Sequence, residues 1–191
     1  PLKICAQAQL RGFFMPEEHP TFDAAALGRA WQRVAHEIFE SSLEGRTLIL
    51  VGIQRGGVKL ARLLGDSLTS LYGHEVVIGS VEPGLHRDDL SQRRMHELRT
   101  TELPADLTGQ VVVLVDDVLC SGRTVRAAMD ALLGFGRPYY IRLAVLIDRG
   151  HRELPIRPDF VGKNLPSKLE ECVEVQCDDT GTLHAVILPT S

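Results

Sequence analysis

Val111-Val-Val-Leu-Val-Asp-Asp-Val-Leu-Cys-Ser-Gly-Arg-Thr124 opens with five consecutive apolar residues, four of them valine. Such a run reads as a strand buried on both faces, as in the middle of a parallel sheet. It ends in two carboxylates, Asp116 and Asp117. The turn Cys120-Ser121-Gly122-Arg123-Thr124 then leads into a helical pattern, Val125-Arg-Ala-Ala-Met-Asp-Ala-Leu-Leu133. A strand, an acid pair, a Gly-containing turn and a helix N-terminus together make an anion site. Backbone N–H groups of residues 121–124 point outward with the helix dipole behind them, and the hydroxyls of Ser121 and Thr124 add donors. The acids suit a ligand carrying sugar hydroxyls beside its phosphate, or Mg²⁺ held through water. The plainer reading is a solvated acidic strand end followed by an ordinary N-cap at Ser121 or Thr124. Adjacent carboxylates at a buried strand's end repel each other, and ligands of parallel sheets bind beyond the strands' carboxyl ends, so the ligand reading is preferred. No Gly-Lys-Ser/Thr occurs anywhere, which excludes a Walker A loop.

The same plan appears upstream. Thr47-Leu-Ile-Leu-Val-Gly-Ile53 is a second buried strand, Gln54-Arg55-Gly56-Gly57 its turn, and Val58-Lys-Leu-Ala-Arg-Leu-Leu64 its helix, closed by Tyr72-Gly73. Gly56 and Gly57 let backbone approach a ligand closely, and Arg55 supplies charge for an anion. Two anion loops at one sheet edge fit a ligand with two phosphate groups. Further strands are expected at Glu75–Val81 and Tyr140–Ile147, and a C-terminal antiparallel edge hairpin at Cys172–Gln176 and Leu183–Leu188. Asp23 is a candidate N-cap for a helix to about Ser42, with Leu27, Trp31, Val34 and Ile38 facing the core. Arg29, Gln32, Arg33 and His36 fall on its opposite side. Residues 83–110 are polar, carry Arg87, Arg93, Arg94 and Arg99, and read as a long loop that closes as a basic lid.

At 191 residues, 44% hydrophobic and 24% charged, the chain fits one ordinary globular domain spanning 1–191. No stretch approaches a transmembrane span, so no membrane partner is expected. Cys5, Cys120, Cys172 and Cys177 are scattered without framework spacing, favouring reduced thiols in a cytoplasmic protein over disulfides or zinc. A net charge of −4 argues against nonspecific nucleic-acid binding by the whole surface.

The acid pair and its loop resemble the phosphoribosyl-pyrophosphate (PRPP) signature of type I phosphoribosyltransferases. The resemblance widens through Arg33-Val-Ala-His-Glu-Ile38, Leu85-His-Arg-Asp-Asp-Leu90, Val115-Asp-Asp-Val-Leu119, Gly122-Arg-Thr-Val-Arg126, Leu146-Ile-Asp-Arg-Gly-His-Arg-Glu-Leu-Pro-Ile-Arg157 and Gly162-Lys-Asn164. Together these strings are similar to the bifunctional pyrimidine operon attenuator/uracil phosphoribosyltransferase family. The resemblance implies an α/β type I phosphoribosyltransferase fold, a parallel sheet with flanking helices, a flexible lid and a small C-terminal hood. It also implies conversion of uracil and PRPP to UMP and pyrophosphate with Mg²⁺, and UMP-dependent binding of pyrimidine operon leader RNA by a homo-oligomer, dimer or tetramer.

On that resemblance Arg55, Gly56 and Gly57 receive pyrophosphate, while Cys120, Ser121, Gly122, Arg123 and Thr124 hold the 5′-phosphate. Asp116 and Asp117 hold the ribose hydroxyls and Mg²⁺ through water, and Arg87 of the lid adds a pyrophosphate contact. The base lies against Phe160, Val161, Gly162 and Lys163, and RNA contacts fall on Arg33, His36, His151, Arg152 and Arg157. Cys120 stands where the family usually has Tyr and where purine enzymes carry a carboxylate, which favours a pyrimidine. Gln32 stands where RNA-binding members typically carry Thr. Three alternatives stay open: a transferase without RNA regulation, an RNA-binding nucleotide sensor with little catalysis, and a purine-type salvage enzyme.

Overall fold

The computed structural model describes residues 23–41, 43, 45–84 and 100–189. The lid sequence 85–99 with Arg87, the Leu85–Leu90 string and Cys5 lie outside them.

Helix α1 (Ala24–Glu40) starts where Asp23 Oδ1 accepts from the Ala25 amide at 3.0 Å. It buries Leu27, Trp31, Val34, Ala35 and Ile38 as one stripe. Strand β1 (Leu48–Ile53) is buried at every residue, as its unbroken apolar run requires. Helix α2 (Gly56–Tyr72) follows at once, starting two residues earlier than the sequence suggests, and closes where expected, on Gly73 with φ +73°. Strand β2 (Val77–Val81), strand β3 (Val111–Leu119), helix α3 (Arg123–Leu132), strand β4 (Tyr140–Asp148) and strand β5 (Phe160–Asn164) complete the main layer. Strands β6 (Glu171–Cys177) and β7 (Leu183–Pro189) form an antiparallel pair of their own.

The main sheet has the order β2-β1-β3-β4-β5, all parallel. Side-chain alternation along β3 divides the interior. Val111, Val113 and Val115 join α1, α2 and the hairpin, whereas Val112 and Leu114 join α3 and Leu107 on the other face. Leu60, Leu64, Leu114 and Leu132 are each at most 1% exposed, and truncating any one to Ala costs ~2–5 kcal/mol. Helices on opposite faces follow β1 and β3, which lie side by side, so the order in which strands are added along the sheet reverses between them. That switch point opens a crevice beyond their carboxyl ends.

Several expectations need correction. The acids do not end their strand: β3 runs through Asp116 and Asp117 to Leu119. Its pairing with β4 skips Asp117, and the alternation slips there, with Val118 returning to the face of Val115. Neither Ser121 nor Thr124 caps α3. Gly122 does, at φ +91°, and the chain turns through a conformation that side chains resist. The C-terminal hairpin is not an edge of the main sheet; it packs Val173, Leu183 and Ala185 into the core shared with α1 and α2. Residues 100–110 are partly ordered against β2, through mutual Ser80–Glu102 amide bonds of 2.7 and 2.9 Å and the buried Leu107. Finally, Cys172 is disulfide-bonded, where a reduced thiol was expected. Scatter along a sequence is no measure of separation in space.

Candidate active site at the carboxyl edge of the sheet

Both Gly-containing turns follow the carboxyl ends of their strands at the switch point, and the acid pair stands between them. A Cβ on Gly56 would come within 2.0 Å of Asp117 Oδ2, and one on Gly57 within 2.0 Å of the Val115 carbonyl oxygen. Only glycine at both positions lets the first turn of α2 lie directly on the end of β3. The Asp117 carboxylate therefore sits against a helix N-terminus, where the dipole favours negative charge. Asp116 is 7% exposed, and its Oδ1 accepts from the Asp117 amide at 3.0 Å. Asp117 Oδ1 accepts from Val118 N at 2.7 Å. Burial pushes the Asp117 carboxyl above its usual range, while bonds from the Val118 amide and the Asp116 side chain pull the other way.

The loop 120–124 is held from outside. Amides of Glu153 and Leu154 both donate to the Ser121 carbonyl at 3.1 Å. Arg152 Nη1 donates to the Cys120 carbonyl at 3.0 Å and to that of Gly150 at 3.1 Å. Its Nε donates to Ile156 O at 2.9 Å, and its Nη2 pairs with Asp148 at 2.5 Å. Arg123 Nε pairs with Glu153 at 2.6 Å. Residues 149–157 thus wrap the turn, and Gly122 backs onto Ile156.

The loop after β1 is tied less. The Gln54 amide donates to Val81 O at 3.0 Å and its side chain to Ser80 Oγ at 3.4 Å; the Gln54–Arg55 bond is cis. A cavity of about 970 Å³ opens here, lined by Arg55, Lys59, Arg62 and Asp117 and roofed by Gln176 and Cys177 of β6. Glu174 of the same strand lies near enough to Asp117 for that charge, after burial, to push its carboxyl up. Lys59, Arg62 and Glu174 were missed by sequence reasoning. The first two were findable, because Arg55, Lys59 and Arg62 recur at i, i+4, i+7 on one helix face. Glu174 left no such signal.

Phe160, Val161, Gly162 and Lys163 form most of edge strand β5, where a Cβ on Gly162 would meet Leu146 O at 2.6 Å. Arg33 Nη2 donates to the Val161 and Gly162 carbonyls at 2.8 and 2.9 Å, so α1 grips this strand directly. Arg33 also pairs with Glu37. His36 and Arg157 are exposed, and a ring nitrogen of His151 lies 2.7 Å from the Ser167 carbonyl. The five residues assigned to RNA thus lie on α1 and the β4–β5 connection, with Arg33 bonded at the surface to β5 and Arg152 bonded to the 120–124 turn.

The acid pair lies between two helix-N-terminal loops at the switch point, and the model of the phosphoribosyl transferase domain matches residues 22–180. The protein described as Bifunctional protein PyrR from Streptomyces coelicolor is 47% identical over 173 residues, covering 90% of each chain. Its Bacillus subtilis counterpart is 46% identical, covering 86% of this chain and 93% of that one. The chain belongs to the bifunctional PyrR family of phosphoribosyltransferases. Among solved structures, a hypoxanthine-guanine phosphoribosyltransferase from Bacillus anthracis superposes with TM-score 0.63 at 18% identity, covering 80% of this chain and 86% of that one, a likeness of fold. No described helix is long and apolar enough to cross a membrane.

Proposed function

We propose that the protein transfers the phosphoribosyl group of PRPP to uracil, releasing pyrophosphate and forming UMP, and that it binds pyrimidine operon leader RNA when UMP is present. The observation that carries the reading is the acid pair set between two anion loops at the switch point, in a chain of the PyrR family. The C1′–pyrophosphate bond breaks as the C1′–N1 bond forms, and the N1 proton of uracil passes to solvent. Positive charge develops on the ribose, so the work is positioning and electrostatic stabilisation. Asp116 and Asp117 accept from the ribose hydroxyls and face the cationic sugar. Residues 120–124 hold the 5′-phosphate, Arg55 and the Gly56–Gly57 amides receive pyrophosphate, and Arg87 closes over it. Main-chain groups of Phe160–Lys163 match the donor and acceptor edge of the pyrimidine.

The residues present fit Mg²⁺. Asp117 is a half-buried, partly desolvated carboxylate on the cavity wall whose charge a cation would relieve, and the described residues contain no group of three acidic, His or Cys ligands. One or two carboxylates, completed by substrate oxygens and water, are the usual holders of this ion. Mg²⁺, when bound, neutralises charge on the pyrophosphate oxygens.

For RNA, Arg33, His36, His151, Arg152 and Arg157 supply the contacts, and the bonds of Arg33 to the Val161 and Gly162 carbonyls support a coupling between that face and the proposed base edge. The protein acts as a dimer or tetramer in the cytoplasm. UMP formation from uracil and PRPP, run beside leader-RNA binding with and without UMP, tests both halves. No UMP from wild-type protein would end the enzymatic reading, and no UMP-dependent preference over an unrelated hairpin the regulatory one.

A further inference from the structure

Lys59 and Arg62 lie on α2, Arg55 immediately precedes its first residue, and all three line the same cavity as Asp117. Among the described residues no carboxylate lies within ion-pair distance of any of the three. Elsewhere, Arg33, Arg123 and Arg152 each have an acidic partner. Three cations without counter-ions on one wall repel one another, and an anionic ligand removes that cost. Lys59 has one tie: its Nζ donates to the Cys177 carbonyl at 2.8 Å, on the hairpin strand that roofs the cavity. Lys59 also pulls the Cys177 thiol down against the burial that raises it, so the ammonium lies close to the roof. A single bond to a neutral carbonyl is weaker than a bond to a phosphate oxygen.

We infer that Lys59 is a further pyrophosphate-binding residue of this site, parked on the hairpin carbonyl until substrate arrives, and that Arg62 extends the same cationic wall. The inference rests on the reading that the loop after β1 takes pyrophosphate, and names which side chains do so beyond Arg55. On binding, the Lys59 ammonium exchanges the Cys177 carbonyl for a phosphate oxygen, and the roof loses its tie to α2. The compact, rotatable donors of lysine suit that exchange.

The test is calorimetric titration of the full chain with inorganic pyrophosphate and Mg²⁺, beside steady-state kinetics. Lys59→Gln is expected to weaken pyrophosphate roughly tenfold and to raise KM for PRPP by a similar factor, with KM for uracil within about twofold. Lys59→Arg, which keeps the charge, is expected to recover most of the loss, and Arg62→Gln to weaken pyrophosphate by a smaller factor. Wild-type pyrophosphate affinity in Lys59→Gln would overturn the inference, and a lowered melting temperature with that affinity would show Lys59 to be only a brace. The titration contains no base. Failure to form UMP would therefore count against uracil, whereas unchanged pyrophosphate binding would count against Lys59.

Discussion

Two strand–turn–helix units of one plan flank the crevice, and they are finished in different ways. The turn after β3 is clamped by a second segment: Glu153, Leu154 and Arg152 take its carbonyls, and Glu153 pairs with Arg123. The turn after β1 has two ties through Gln54, and Arg55 has no partner among the described residues. A phosphate that stays on the sugar through the reaction gains most from donors already in place, because their ordering cost is met at folding. A group that must arrive, part from the sugar and depart is better served by charges free to follow it. On the proposed assignment the same local sequence pattern would serve two tasks, and the distinction would lie in what packs behind each turn.

The largest effect is expected at the acids both units share. Asp116→Asn and Asp117→Asn should each lower turnover roughly ten- to a thousandfold, the range of single electrostatic contacts to a developing charge. The circular dichroism spectrum should not change, since the apolar faces of β3 are untouched. Wild-type rates of UMP formation in both variants would remove the acids from the chemistry.

The paired glycines of the open turn separate its architecture from its charge. In Gly57→Ala the new methyl meets the Val115 carbonyl at 2.0 Å, backbone that cannot swing aside. A loss of ~1–3 kcal/mol is expected, read as a fall of several degrees in melting temperature. In Gly56→Ala the methyl meets the Asp117 carboxylate at 2.0 Å, which can rotate at the expense of its position. That variant should lose more activity than stability. Matching melting curves and matching rates for the two would erase the difference.

Arg152→Ala probes the clamped turn. It strips partners from the Cys120, Gly150 and Ile156 carbonyls and leaves the Asp148 carboxylate with the Gly150 amide but no cation, at a cost on the order of 1–3 kcal/mol. KM for PRPP should rise with little change in KM for uracil. If Arg152 also touches RNA, the salt dependence of leader-RNA binding should flatten by roughly one unit. Unchanged PRPP affinity would show that the clamp is dispensable and that Arg152 faces outward in solution.

The parallel layer and both strand–turn–helix units were legible because they rest on local signals. Unbroken apolar runs become doubly buried strands, and glycine marks close approach at 56, 57 and 122. Sequence-distant contacts were illegible. Nothing in Arg152 announces that it serves the Cys120 carbonyl, nor in Arg33 that it grips Val161 and Gly162, because both read equally well as solvated charges. The slip of β3 at Asp117 was hidden for a related reason. A valine run states burial but not the point at which pairing skips a residue. The hairpin's strands were readable from their alternation, while its seat over α2 depends on Val173, Leu183 and Ala185 finding that core.

The smallest effect concerns the roof over the open turn, and it separates the two units by pH. Asp178 Oδ1, just beyond Cys177, accepts from the Thr180 hydroxyl at 2.6 Å and from the Thr180 and Thr182 amides at 2.8 and 2.9 Å. These bonds, the Thr180 hydroxyl foremost, lower its carboxyl from the ordinary 3.8 to about 2. Because the folded value lies below the unfolded one, the turn's added stability is present above pH 3.8 and is lost as pH falls toward 2. Hydrogen exchange at the Thr180 and Thr182 amides should therefore become less protected through that window, while amides of the clamped 120–124 turn keep their protection relative to the global opening. The carboxylate is solvent-exposed, so the change should be modest and should shrink in high salt. Asp178→Asn should abolish the acid step at these two amides. A step that persists in that variant would place the titrating group elsewhere on the hairpin.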